Sequence, residues 1–152
     1  MTTAQAHPNI ALVKYWGKQE RSGNLPAIAN LSITLAGLTT TTQVTEAAAD
    51  TFVLNDATAE DPKLRRWLET LRFSFDIPPL AIHSSNDFPT SAGLASSASG
   101  FAALITAINA HCELGLDHAM CSEWARVGSA SAARSIFGGF VALVPPKWWA
   151  VP

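Results

Sequence analysis

Apolar positions along this chain change period several times, and each change marks a predicted element. From Ile10 to Trp16 the chain is apolar and β-prone, which predicts a strand. Gln19 to Pro26 is polar and turn-rich, hence a loop. Leu31 to Leu35 alternates apolar and hydroxyl side chains, as a half-buried strand does. Threonine-rich Leu38 to Thr45 is the expected antiparallel partner of that strand. A short strand from Phe52 to Leu54 runs into Asn55-Asp56. The period then becomes helical. Asp61-Pro62 opens a helix, proline being favourable at the first helical position, and Leu64, Trp67, Leu68 and Leu71 form its apolar face. Pro78-Pro79 ends that pattern, and Leu80 to His83 returns to strand. A long helix is expected from about Leu94 to Cys112, and a shorter one from about Asp117 to Val127, with Gly128 as its stop. Gly138-Gly139 precedes a final strand, Phe140 to Val144. Strands, helix, strand, helices, strand: the order predicts an α+β fold, with helices covering one face of a mainly antiparallel or mixed sheet.

Composition narrows the function classes. The chain has 152 residues, 48% of them hydrophobic and 14% charged, with a net charge of −2. A single domain of this length buries roughly 68–70% of its unfolded surface. No basic field exists to hold a nucleic-acid backbone. No apolar run reaches the ~18 residues that span a bilayer. Met1 to Pro8 lacks the basic and apolar regions of a secretory signal, so a cytoplasmic location is expected. Cys112 and Cys121 do not form a close pair and lie in helical patterns, as reduced core or near-core residues. Four scattered histidines suggest no metal-ligand cluster.

The candidate chemistry begins at Phe88 to Gly100, a small-residue turn feeding a buried helix. The first turn of such a helix has free backbone N–H groups and a partial positive charge. Gly93 and Ala95 are small enough for an anion to approach closely, and Ser96 and Ser97 add hydroxyl donors. The expected occupant is a phosphate; tight packing and ordinary capping are the alternative reading. The Gly-Lys-Ser/Thr pattern of a P-loop is absent. Ala6 to Lys18 carries Lys14, Tyr15 and Lys18 around a strand end. Ala125 to Ser135 offers the hydroxyls Ser129 and Ser131 and the guanidinium of Arg134, which can grip a carboxylate or phosphate with two parallel bonds. Asn24-Leu25-Pro26 is a turn, with Ser32 and Thr34 on the strand beyond.

The phrases PNIALVKYWGK, NLPAIANLSITL, NDFPTSAGLASSASGFAAL and ARVGSASAARSIFGGFV resemble, in order, those of the mevalonate diphosphate decarboxylases. These belong to the GHMP kinase superfamily of small-molecule kinases. The matches span most of Ala6 to Val141 and are weakest from about Glu46 to Ser85. The resemblance implies a two-layer ribosomal protein S5 domain 2-like fold, the N-terminal domain of the GHMP kinase fold, over residues 1–152. It also implies ATP and Mg²⁺ as cofactors. Family enzymes phosphorylate the tertiary hydroxyl of mevalonate 5-diphosphate; phosphate then leaves, carbon dioxide is lost and isopentenyl diphosphate forms. Positioning and charge stabilisation carry such a reaction. Carried over by position, Ser96, Ser97, Gly93 and Ala95 are expected at the ATP phosphates. Tyr15, Lys18, Ser129 and Ser131 are expected on the substrate diphosphate. Arg134 would orient the carboxylate, and Lys14 would sit near the reacting hydroxyl. Asn9 would shape the pocket.

Three departures accompany the resemblance. The family's second domain, with its catalytic aspartate, does not occur in this sequence, which predicts a partial form with weak turnover or none. Ala130 stands where the family usually has glycine, and Ala29-Asn30 where relatives often carry serine. The apolar tail from Val144 to Val151 predicts a homo-oligomer that buries it, or the missing C-terminal half as its partner. Two further readings remain open: a non-catalytic module binding nucleotide or isoprenoid diphosphate, and a related mevalonate kinase or phosphomevalonate decarboxylase.

Overall fold

The computed structural model describes all residues except 14–16, 18, 21–22, 90–95 and 145–149. The expected α+β architecture is present, but the strands divide between two sheets. The larger sheet is built from β1 (Thr2–Ala6), β4 (Thr40–Glu46), β7 (Leu80–Asn86), β5 (Thr51–Leu54) and β6 (Ala57–Thr58), in that spatial order. All its pairs are antiparallel except β5 with β7. The smaller sheet is wholly antiparallel and contains β2 (Asn9–Val13), β3 (Asn30–Thr34), β8 (Phe140–Leu143) and β9 (Ala150–Val151). Three helices complete the fold: α1 (Pro62–Ser74), α2 (Ser96–His111) and α3 (His118–Gly128), followed by a 3₁₀ turn at Ala132–Ile136.

The helices start where the sequence places their caps. Asp61 accepts hydrogen bonds from the backbone N–H groups of Lys63 and Leu64, at 2.8 and 3.1 Å, with Pro62 next in line. Asp117 caps α3 through the N–H of Met120. Each carboxylate satisfies donors that a helix start leaves unpaired. The predicted face of α1 is the buried one, comprising Leu64, Trp67, Leu68 and Leu71. It joins Val44, Leu80 and Ile82 of the larger sheet, and Phe101, Leu104, Ile105 and Ile108 of α2, in the main core. Trp67 meets Phe101 edge to face, with ring centroids 5.2 Å apart, and its indole N–H donates to the carbonyl of Trp124. Fully burying one such side chain contributes roughly 1.5–3 kcal/mol.

Two expectations are corrected. The strand over Leu38 to Thr45 does not pair with the one over Leu31 to Leu35. Instead β4 pairs with β1 and β7, while β3 pairs with β2 and β8. The chain crosses between the sheets three times, at His7-Pro8, at residues 35–39 and, through α2 and α3, between β7 and β8; the Leu35 N–H donates to the Pro8 carbonyl where the first two crossings meet. Strand β1 escaped notice because its alternation sets small alanines against polar side chains, too weak an apolar signal to stand out. Gly128 is also not a left-handed stop. It is the last residue of α3, capped by Ser129, and its missing side chain makes room for the Phe101 ring, which a Cβ would overlap. The reason for glycine here is packing between α2 and α3.

Part of the tail returns to this same chain. Ala150 pairs with Leu143, is 1% exposed, and donates its N–H to the Ser122 hydroxyl. Trp148 and Trp149 lie outside the described residues. The opposite face of the smaller sheet is apolar and open, with Ile10 46% and Phe140 61% exposed in register across it. Among the described residues no helix is long and apolar enough to cross a membrane.

Candidate functional site

Helix α2 begins at the Ser96-Ser97 pair, and both side chains are accessible, Ser96 partly and Ser97 fully. The serines line a cavity of about 180 Å³ between the larger sheet and helices α1 and α2. Phe52, Leu54, Leu64, Phe101 and Leu104 supply apolar walls; Thr40, Ser84, Asn86 and Asp61 supply polar ones. The sheet side is held by short hydroxyl contacts: Thr40 to Asn86 and to Ser99, each 2.6 Å, and Thr42 to Ser84, 2.8 Å. These fix the first turn of α2 against β4 and β7. A cavity with apolar walls, hydroxyls and a helix start on its lining is chemically able to receive an apolar ring and an anionic group.

A second group of hydroxyls continues from there. Ser97 Oγ lies 3.3 Å from Ser129 Oγ, which lies 3.4 Å from Ser131 Oγ. The first is on α2, the second caps α3 and the third opens the 3₁₀ turn. Residues 32 apart in sequence thus form one polar track leading away from the cavity. Ala130, between the last two serines, is not among the positive-φ residues. The backbone therefore tolerates alanine where the family usually has glycine.

Past the track lies Arg134, 3% exposed. One terminal nitrogen donates to Asn30 Oδ1 and the other to Asn9 Oδ1, the latter at 3.3 Å. Asn9 in turn donates through Nδ2 to the Ser135 hydroxyl at 2.7 Å and to the Ser131 carbonyl at 3.0 Å. Asn9, Asn30, Ser32 and Arg134 all lie under the smaller sheet, where alternate positions of β2 and β3 face the 3₁₀ turn. Ser32 is wholly buried, and its hydroxyl has no hydrogen-bond partner among the described residues. Buried polar groups are normally satisfied, so this interior is built for polar contact rather than apolar packing.

The loop before β3 sets the end of α3. Asn24, with φ of 54°, donates to the carbonyls of Arg126 and Val127 at 3.2 and 2.7 Å. Arg126 reaches back to the Gly23 carbonyl. Burial holds the Arg126 guanidinium below its usual pKa, partly offset by Glu123. Together they hold the last turn of α3, and so Ser129, against residues 23–24.

The structure thus unites Ser96, Ser97, Ser129, Ser131 and Arg134 in one continuous region. Lys14, Tyr15, Lys18, Gly93 and Ala95 lie outside the described residues. Sequence reading missed Asn30 and Arg126 as site-building residues, and gave Asn24 no role beyond its turn. Side-chain amides next to turns and strand ends look like ordinary loop chemistry until their distant partners are known. Among the described residues no group of three or more His, Cys, Asp or Glu side chains could hold a metal ion.

Residues 6–147 match the family described as diphosphomevalonate decarboxylase-like N-terminal domain. A diphosphomevalonate decarboxylase from Candida albicans is 42% identical over 153 residues, covering 88% of this chain and 42% of the relative. The mevalonate diphosphate decarboxylase of Enterococcus faecalis superposes with a TM-score of 0.90 at 40% identity, covering 99% of this chain and 51% of that one. A second structure, a complex with MVAPP, AMPPCP and magnesium, gives 0.89 at 40% identity, with coverage of 99% and 50%. The chain therefore spans about half the length of such relatives, or somewhat less. On the family match and these identities, it belongs to the diphosphomevalonate decarboxylase-like N-terminal domain family.

Proposed function

We propose that this chain provides the nucleotide- and diphosphate-binding half of an enzyme that decarboxylates mevalonate 5-diphosphate to isopentenyl diphosphate in an ATP- and Mg²⁺-dependent reaction of isoprenoid biosynthesis. The observation that carries the reading is the hydroxyl track Ser97–Ser129–Ser131 running from the α2 cavity toward buried Arg134. A substrate with a diphosphate at one end and a carboxylate at the other needs that order of donors. The complex of a relative with MVAPP, AMPPCP and magnesium supports it by analogy.

When bound, ATP supplies the phosphoryl group and Mg²⁺ offsets its charge. The chain's own residues bind and orient. Ser96 and Ser97 donate to phosphoryl oxygens at the α2 N-terminus, and Ser129 and Ser131 donate to the substrate diphosphate. Arg134 holds the carboxylate, keeping negative charge beside the carbon that becomes electron-deficient as the leaving group departs. Lys14, Tyr15 and Lys18, which follow β2 in sequence, are assigned as Lys14 at the reacting hydroxyl and the other two at the diphosphate.

Calorimetry with mevalonate 5-diphosphate, then with AMPPCP and Mg²⁺, tests the binding; release of carbon dioxide tests the reaction. Micromolar binding of the diphosphate is expected, and Ser129→Ala should weaken it about tenfold, the scale of one hydrogen bond to a charged group. No binding at millimolar concentration would overturn the reading. Binding without carbon dioxide release would leave a binding half without the reaction.

A further inference from the structure

We propose that Asn30 is a positioning residue for Arg134: its carboxamide fixes the plane of the guanidinium and so decides which anion that fork accepts. The inference rests on the reading above for the identity of the ligand, but not for the contact itself. Asn30 is the first residue of β3, 3% exposed, and its Oδ1 accepts from one terminal nitrogen of Arg134. Asn9, on the neighbouring strand, accepts from the other terminal nitrogen. The strands are antiparallel, with Asn9 opposite Thr34, so the two asparagines approach the guanidinium from different rungs of the ladder. Buried Ser32, opposite Ala11, lies between those rungs on the same face. The guanidinium therefore bridges two strands, held at both terminal nitrogens.

That arrangement has chemical consequences. A guanidinium is planar, and its value for a carboxylate lies in presenting two parallel N–H bonds at a fixed angle. One acceptor leaves the plane free to turn about the Cδ–Nε bond; two acceptors at separate points define it and restrain exchange of the two terminal nitrogens. Both holding groups are uncharged amides, so they orient the cation without cancelling its charge. A carboxylate at position 30 would hold the plane equally well and neutralise it. Serine or alanine would be too short to reach.

The test separates orientation from charge and from simple structural support. Asn30→Ala, Asn30→Ser and Asn30→Asp are compared in the full chain. Arginine side-chain ¹⁵N NMR first reads whether the terminal nitrogens of Arg134 give separate, slowly exchanging signals. They should in the parent and in Asn30→Asp, and should merge in Asn30→Ala and Asn30→Ser. Calorimetry then compares mevalonate 5-diphosphate with isopentenyl diphosphate, which lacks the carboxylate. Asn30→Ala and Asn30→Ser should weaken the first about tenfold and the second less than about twofold. Asn30→Asp should lose roughly a hundredfold for the first, while its thermal midpoint stays equal to the parent's or rises. Unchanged NMR signals in Asn30→Ala, or equal losses for both ligands, would overturn the proposal. Should the parent bind neither diphosphate, the functional reading fails on that result, and the NMR comparison alone decides whether Asn30 orients Arg134. Asn30→Asp keeps the acceptor oxygen, so it remains a test even where the alanine variant does not fold.

Discussion

The two sheets of this protein are built from similar lengths of strand and yet have opposite interiors. Beneath the larger one lies an apolar core in which Leu71, Leu80, Ile105 and Ile108 are wholly buried. Beneath the smaller one, Val141, Leu143 and Ala150 share the interior with Asn9, Asn30, Ser32, Arg134 and Ser135. The first interior gains stability from each apolar group removed from water. The second spends its space on amides, hydroxyls and a guanidinium whose burial costs free energy unless each is satisfied. The difference locates the work: one sheet holds the fold together, and the other holds side chains in fixed directions. The serine track lies between them, on α2 and after α3.

Mutations on either side should expose the contrast. Leu71→Ala, in the apolar interior, should cost about 2–5 kcal/mol in urea unfolding, while the affinity of the folded protein for mevalonate 5-diphosphate stays put. Arg134→Gln should behave the other way, losing about 1–3 kcal/mol of stability as the carboxamide oxygens of Asn9 and Asn30 lose donors. Its ligand affinity should fall more than tenfold. If Arg134→Gln destabilises more than Leu71→Ala, the division of labour argued above is wrong.

Gly128→Ala probes the seam. A methyl there overlaps the Phe101 ring, which also meets Trp67 on α1, lies under the Lys63 ammonium and lines the cavity beside Ser96 and Ser97. Overpacking of this kind costs about 1–3 kcal/mol, and both stability and nucleotide affinity should fall together. Losing stability alone, with AMPPCP binding intact by calorimetry, would mean that the cavity does not depend on that ring.

The smallest expected effect sits at the edge of the larger sheet. Asp50 accepts two hydrogen bonds from Arg72, at 2.6 and 2.8 Å, and another from the Leu80 N–H. The Arg72 contact holds its carboxyl below the usual value of 3.8, with burial opposing. Its folded pKa is thus depressed, so the contribution is complete above the unfolded value and is lost as pH falls through the lower folded one. The pair is partly solvated, so the effect should stay below about 1 kcal/mol. Unfolding curves of Asp50→Asn against the parent, taken from pH 5 down to pH 2, should converge only in acid. Parallel curves across the range would remove the pair from the stability account.

How legible each region was follows from the same contrast. The α1 face, its Asp61 cap, and the strand at Leu80 were readable because apolar period and capping chemistry are local. So was the end of β5, where Asn55 and Asp56 both take positive φ and turn the chain into β6. The serine pair was legible because small residues before a long apolar helix announce an approachable N-terminus. Arg134 was singled out as a guanidinium among hydroxyls that can grip a carboxylate or phosphate, with a surface ion pair as the alternative; its buried setting was not visible. Asn30 stood out only as a departure from relatives that often carry serine, and its contact with Arg134 was not visible.

What the sequence determined by itself is most of the elements, their caps and the serine pair at the start of α2, because each depends on residues within a few positions of one another. Which strand joins which sheet, and the meeting of Asn9, Asn30 and Arg134, were decided only in three dimensions. Those contacts link residues more than 100 positions apart. A pairing of that span has no period to read; it exists only once α2 and α3 have returned the chain beneath the smaller sheet.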